Sequence, residues 1–293
     1  VPQPIAPQLA AMLDAVSMPS EPSQSAARVL KTGMRKGRSK LQVAIWLVIG
    51  ALVIAGGVIV GFKFRAMRLD NKIADSQNIA RGLAKADTWK AMVRSRDRIA
   101  GIAQASPTAD NMAALARIRA LIAFEFGEGV PEAKSAIDAL GTQRGLDAEI
   151  AAAYYALAVN DAKNALDAAG RALKLDATDP AALYVMGQAE LLAGDLAAAV
   201  KQLQAAVDKE GRPLYRVALS RAYFELSDWK EAQRAIDPAP LKAWYDGLEA
   251  DTTRELKDSG IQLSSLVDEH PGVVAQRARL AVATGQTAGA KAT

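Results

Sequence analysis

Residues 41–62 read LQVAIWLVIGALVIAGGVIVGF, a run with no charged residue and with Gln42 as its only polar side chain. At 1.5 Å per residue a helix of this length spans about 33 Å, enough for a hydrocarbon core of roughly 30 Å. A buried helix of a soluble protein rarely runs so long without a charge. A cleaved signal peptide predicts a short basic start, a shorter apolar stretch and a small-residue cleavage site. Here about forty residues precede the run and KFRAMRLD follows it, so an uncleaved single-pass anchor is expected. The fifteen residues before the run carry six Lys/Arg and the fifteen after carry four, with Asp70 and Asp75 among them. By the positive-inside rule the N-terminus is then cytoplasmic and the C-terminal part lies outside. The alanine-dense composition points to a bacterium, which makes that compartment the periplasm and the membrane the inner one. Gly57 and Gly61 form a small-xxx-small pair with Gly50 on the same helical face. Small residues let helices approach closely, so this face is the candidate for homodimer formation within the membrane.

The flanking tail, residues 1–40, contains Pro2, Pro4, Pro7, Pro19 and Pro22 among Ser and Gln and is expected to stay disordered. Its LAAMLDAV stretch at 9–16 has the apolar content of a short helix formed on a partner, and RKGRSK at 35–40 suits a topology signal beside anionic headgroups. The sequence starts at Val1 rather than Met, consistent with a start further upstream. This tail holds six basic and two acidic residues, the whole of the chain's net charge of +4. The remaining residues balance, so a nucleic-acid-binding reading of the main domain is not supported.

Apolar residues make up 51% of the chain and aromatic ones 5%, with Ala and Leu dominant. These are good helix formers, and an all-α fold follows. There is no cysteine, which excludes disulfides, thiolate metal sites and thiol nucleophiles. The single histidine, His270, excludes a multi-histidine zinc site and is expected in a solvated loop at a helix end. No phosphate loop of either glycine-rich type and no G-x-S-x-G elbow occurs. Pairs such as Asp251 with Glu255, or Asp268 with Glu269, read as solvated helix faces. No enzyme activity, cofactor or metal is expected.

Beyond the apolar run the chain repeats. One unit reads AYYALAVNDAKNALDAAGRALKLD, the next AALYVMGQAELLAGDLAAAVKQLQAAVD, a third YRVALSRAYFELSDWKEAQRAI. Aspartates recur at the turn, at Asp161, Asp195 and Asp228, spaced by 34 and 33 residues. An alanine follows each, Ala165, Ala199 and Ala232, where two helices of a unit cross and only a small side chain fits. Ala133 stands 32 residues before Ala165, after FGEGVPE, in which Gly129 takes the turn and Pro131 begins a helix. A less regular fourth unit therefore covers roughly 110–141.

Period and pattern resemble the tetratricopeptide repeat (TPR) family. Gly187, Gly194, Asp195, Ala199 and Ala206 match its pattern in the middle unit, and Ala153, Asp161, Ala165, Ala172, Leu173 and Leu175 in the unit before. The third unit keeps Tyr223, Asp228, Trp229 and Ala232, then breaks at Pro238 and Pro240. The Trp usual in the first helix is missing, and Ala177 replaces the Pro that ends a unit. The resemblance implies an α-solenoid with a concave face lined by first helices. On the family's groove-facing positions this sequence places Ile122, Phe126, Tyr154, Tyr184, Gln188, Leu191, Arg221 and Phe224. That apolar, aromatic set lacks a Lys/Asn clamp for a terminal carboxylate and implies partners presenting apolar or helical segments.

The expected organisation is a disordered basic tail (1–40), a transmembrane helix (41–62), a helical stalk with a first amphipathic helix (63–108), TPR-like repeats (109–237) and C-terminal helices with a degenerate repeat (238–293). Helices are expected at 88–105, 241–257, 260–269 and 271–284. The function implied is a membrane-anchored protein–protein interaction module, with the array in the periplasm as scaffold or chaperone-like adaptor. Its layout is similar to that of the single-pass TPR subunit accompanying the bacterial Sec translocon and of periplasmic chaperones. The competing expectation is a cytosol-facing TPR adaptor regulating a membrane machine for secretion, motility or cell-wall synthesis.

Overall fold

The computed structural model describes residues 71–142 and 144–285. The basic tail, the apolar run at 41–62 and the glycine face of Gly50, Gly57 and Gly61 lie outside the described residues. Among the described residues no helix is long and apolar enough to cross a membrane.

Residues 73–285 belong to one compact unit of α-helices. The helix described over 71–84 (α1) is followed by α2 (Trp89–Ala105). Then come α3 (Ala109–Phe126) with α4 (Val130–Ala139), α5 (Leu146–Ala158) with α6 (Ala162–Leu175), α7 (Pro180–Ala193) with α8 (Leu196–Lys209), and α9 (Pro213–Glu225) with α10 (Trp229–Ala235). Each pair is a helix hairpin. Successive first helices α3, α5 and α7 pack directly on one another, and α6 and α8 pack on the hairpin that follows them. This is the stacked-hairpin solenoid that the 33–34-residue period predicts, all-α among the described residues.

The reason is local. Each turn carries a residue in the left-handed region: Gly127 at φ 68°, Asn160 at 58°, Gly194 at 86° and Ser227 at 61°. The aspartate that follows caps the next helix: Asp161, Asp195 and Asp228 accept from the amides of Asn164, Ala198 and Glu231 at 3.1–3.2 Å. Such caps satisfy amides that the first helical turn leaves without a partner. Ala133, Ala165, Ala199 and Ala232 have no exposed surface. A Cβ added at Gly187 would lie 2.6 Å from Leu203 Cγ and 3.2 Å from the Ala199 carbonyl, so that crossing admits glycine alone.

Four more helices close the unit: α11 (Pro238–Asp246), α12 (Ala250–Asp258), α13 (Leu263–Glu269) and α14 (Pro271–Ala283). The single helix expected over 241–257 is two, interrupted at Gly247–Glu249. The run of stacked hairpins ends at Pro238 and Pro240: Pro238 opens α11, where a missing amide hydrogen costs nothing and the fixed φ is helical, and it is α14 that packs on α9 and α10. Three apolar clusters hold the unit. The largest runs from Met92 through Ala235 along the hairpins. A second joins Leu83, Ala86 and Ala91 to Tyr245, Leu256, Ile261 and Leu266. In the third, Val273 and Leu280 of α14 meet Ala232, Ile236 and Leu241. Residues 79–86 are thus packed against the C-terminal helices, although they fall in the segment expected to form a stalk.

Candidate interaction surface

The eight residues placed on the groove by resemblance separate. Ile122, Tyr154, Tyr184 and Gln188 are buried, Leu191 and Phe224 are half-buried, and Phe126 and Arg221 are exposed. The expectation of an open groove lined by Tyr154 and Tyr184 is corrected on this point, since both rings retain 1% of their surface. They belong to an aromatic ladder internal to the array. Phe124, Tyr154, Tyr184 and Tyr215, one from each of α3, α5, α7 and α9, follow one another with ring centroids 6.1, 6.2 and 4.7 Å apart. Phe124 and Tyr215 were not among the expected site residues. Their signal was present, because these aromatics recur every 30 or 31 residues.

Polar groups are threaded through the ladder. Tyr184 Oη donates to Glu125 at 2.7 Å and receives a hydrogen bond from Gln188 Nε2 at 2.8 Å. Burial pushes the Glu125 carboxyl up to about 7, against the pull of the Tyr184 hydrogen bond. Arg117 pairs with Asp147 across α3 and α5.

At the C-terminal end of the ladder the Arg212 guanidinium lies 5.4 Å from the Tyr215 ring centroid. The same Arg212 donates to Asp87 Oδ1 through Nε at 2.7 Å and to the Ala84 carbonyl through Nη2 at 2.6 Å. Both partners sit at the α1–α2 corner. Asp87 is 4% exposed, has φ 56°, and accepts from the Leu214 amide at 2.9 Å with its second oxygen. Burial raises the Asp87 carboxyl, while Arg212 and the Leu214 amide pull it back towards the ionised form. A charge buried without its partner is costly, so this pair fastens the corner to the start of α9.

The C-terminal helices reach the same corner. Trp244 Nε1 donates to the Lys85 carbonyl at 3.1 Å, and Lys85 pairs with Glu210 at 2.7 Å. His270 Nε2 stands 3.0 Å from the Asp87 carbonyl. His270 is 5% exposed rather than solvated, which corrects the expectation drawn from its DEHPG context. Desolvation lowers its pKa, and because a carbonyl oxygen can only accept, Nε2 donates the hydrogen bond to Asp87. Sequence reasoning missed Asp87, Arg212 and His270 as a group because they are separated by 125 and 58 residues and no local pattern joins them. Among the described residues no three His, Asp or Glu side chains stand together as metal ligands.

Hairpins of this length, stacked with small residues at each crossing and capped by aspartate at each turn, define a TPR-like α-solenoid. Residues 158–239 match the model of the family described as anaphase-promoting complex, cyclosome, subunit 3. No curated protein matches the chain. Among solved structures, a thermophilic TPR protein of Thermus thermophilus is 17% identical, with 63% of this chain and 98% of that one covered at a TM-score of 0.44. The MamA fragment from residue 41 to the end, of Desulfovibrio magneticus, is also 17% identical, covering 56% of this chain and 90% of that one at 0.36. The APC/C hetero-tetramer Cut9–Hcn1 is 15% identical, covering 67% and 42% at 0.40.

Proposed function

We propose that this chain is a protein–protein interaction module anchored in the bacterial inner membrane, with its helix array on the periplasmic side as scaffold or chaperone-like adaptor. The stack of four hairpins is the observation that carries the interaction role. Arrays of this kind present a long surface in which each unit adds a similar strip, a form suited to extended partners rather than to small substrates. The anchor rests on the uncharged run at 41–62, and the orientation on six basic residues before it against four after. Because Tyr154 and Tyr184 are internal, partner contact is made by the outer surfaces of the array.

The second reading is a cytosol-facing adaptor; the four basic residues following the run are what favour it. A reporter active only outside the cytoplasm, fused after residue 293, separates the two: activity is expected, and its absence removes the periplasmic placement. The interaction role is tested by crosslinking in intact membranes followed by affinity purification. Specific protein adducts to the array are expected, and an array without adducts overturns the role.

A further inference from the structure

The run of hairpins ends at Pro238, yet α14 packs on α9 and α10, where a further first helix would lie. A Cβ added at Gly272 would stand 3.3 Å from Val217 Cγ1, and Arg277 Nη2 donates to the Ile236 carbonyl at 3.3 Å. Residues 238–269 are therefore an excursion between α10 and the helix that resumes the stack. That excursion, α11–α13, folds back onto the other end of the unit, the α1–α2 hairpin.

The two helices of that hairpin are joined by Ser95 Oγ, which donates to the Ala80 carbonyl at 2.7 Å. α12 crosses α1 so closely that a Cβ added at Gly82 would lie 1.9 Å from Thr252 Oγ1. Leu83, Ala86 and Ala91 meet Tyr245 and Leu256 in an apolar cluster distinct from the other two. Glu255 of α12 pairs with both Arg94 and Arg98 of α2, at 3.4 and 3.0 Å. These are two of the four cations on α2, Lys90, Arg94, Arg96 and Arg98, which stand against Asp97 alone. The three paired side chains keep 26–41% of their surface, and ion pairs so exposed contribute little to stability.

The hairpin has a second attachment in which α11–α13 take no part. Arg212 and the Leu214 amide hold the Asp87 carboxylate from the start of α9, and His270, just before α14, donates to the Asp87 carbonyl. Lifting α11–α13 thus leaves α1–α2 fixed to the array. It uncovers a face with an apolar centre, a glycine that admits close approach and a cationic rim. Such a face receives an amphipathic helix, and α12 shows of what kind. Thr252, Glu255 and Leu256 lie at i, i+3 and i+4, on one side of that helix.

We infer that α11–α13 form a clasp that occupies this face within the chain, and that a partner protein docks there by replacing α12 with a helix of the same chemistry: a small residue, Glu and Leu at i, i+3 and i+4. The inference rests on the interaction role above. To the outer surfaces of the array it adds a face that is covered until the clasp lifts.

The test uses the full chain in nanodiscs and a synthetic helical peptide of residues 249–262. Glu255→Lys in the chain sets a cation against Arg94 and Arg98 and opens the clasp. That chain is expected to bind the peptide at least about tenfold more tightly than the parent does. Gly82→Leu added to it fills the crossing and abolishes binding. A chain carrying Arg94→Glu with Arg98→Glu is expected to bind a peptide bearing Glu255→Lys and to reject the unaltered peptide. Arg254→Ala in the peptide, at a side chain 72% exposed in the chain, leaves binding unchanged. Hydrogen exchange in Glu255→Lys is expected to quicken in α12 and to stay unchanged in α5 to α8. Equal peptide binding by parent and Glu255→Lys chains, or no discrimination between the two peptides by the Arg94→Glu, Arg98→Glu chain, overturns the clasp. So does exchange that quickens in α12 and in α5 to α8 together. Dimers of the parent chain that the peptide dissolves assign the face to a second copy and overturn the foreign partner. Protein adducts on the outer surfaces of the array without peptide binding remove the clasp while leaving the interaction role standing.

Discussion

At the scale of single residues, stability is concentrated where small or charged groups are enclosed. Gly187→Ala brings a methyl group against Leu203 and the Ala199 carbonyl. It is expected to cost about 1–3 kcal/mol in denaturant unfolding, partly recovered with Leu203→Ala. Asp87→Ala leaves the Arg212 guanidinium, 6% exposed, without its carboxylate and is expected to cost about 3–5 kcal/mol. Glu125 supplies a pH dependence. Its folded carboxyl titrates at about 7 against an ordinary 4.5. Between those values the folded chain holds more protons than the unfolded one, so the Glu125 contribution to stability falls as pH rises through the window. Chemical denaturation at pH 4.5 and 7.5 is expected to show a smaller difference in Glu125→Gln than in the parent chain. The cap and crossing residues were legible in the sequence because Asp161, Asp195, Asp228 and the small residues act within one hairpin. The buried Asp87–Arg212 pair was not, since burial there depends on helices more than a hundred residues apart in the chain.

At the scale of elements, turn chemistry and proline position decided what could be read. The repeat period located α3 to α10 because each hairpin carries its own turn signal. The helices after Ile236 carry no such signal, and one of the clues there pointed the wrong way. Pro238 ends the run of hairpins and is also the first residue of α11, whereas a continuous 241–257 helix ignored the stop at Gly247. Pro238→Ala is therefore expected to change stability by under about 1 kcal/mol. Leu241→Ala, three residues on and fully buried, is expected to cost about 2–5 kcal/mol in the same unfolding measurement. The groove assignment shows the complementary limit. Helical spacing marks a residue as facing inward or outward on its own helix, but it does not say whether an aromatic faces solvent or the ring of the next repeat. Tyr154 and Tyr184 face rings.

At the scale of the whole unit, the C-terminal helices and the α1–α2 corner hold one another through Trp244, His270 and the Asp87–Arg212 pair. The ladder aromatics and the apolar faces of the hairpins are then used internally, which leaves the outer edges for partners. The account stands on that surface being occupied by protein in the cell. The direct measurement places a photoreactive amino acid singly at 126, 159, 192, 226, 175 and 282 in the full chain and irradiates living cells. Adducts with another protein are predicted at one or more of these exposed positions. An array that yields no protein adduct at any exposed position contradicts the account.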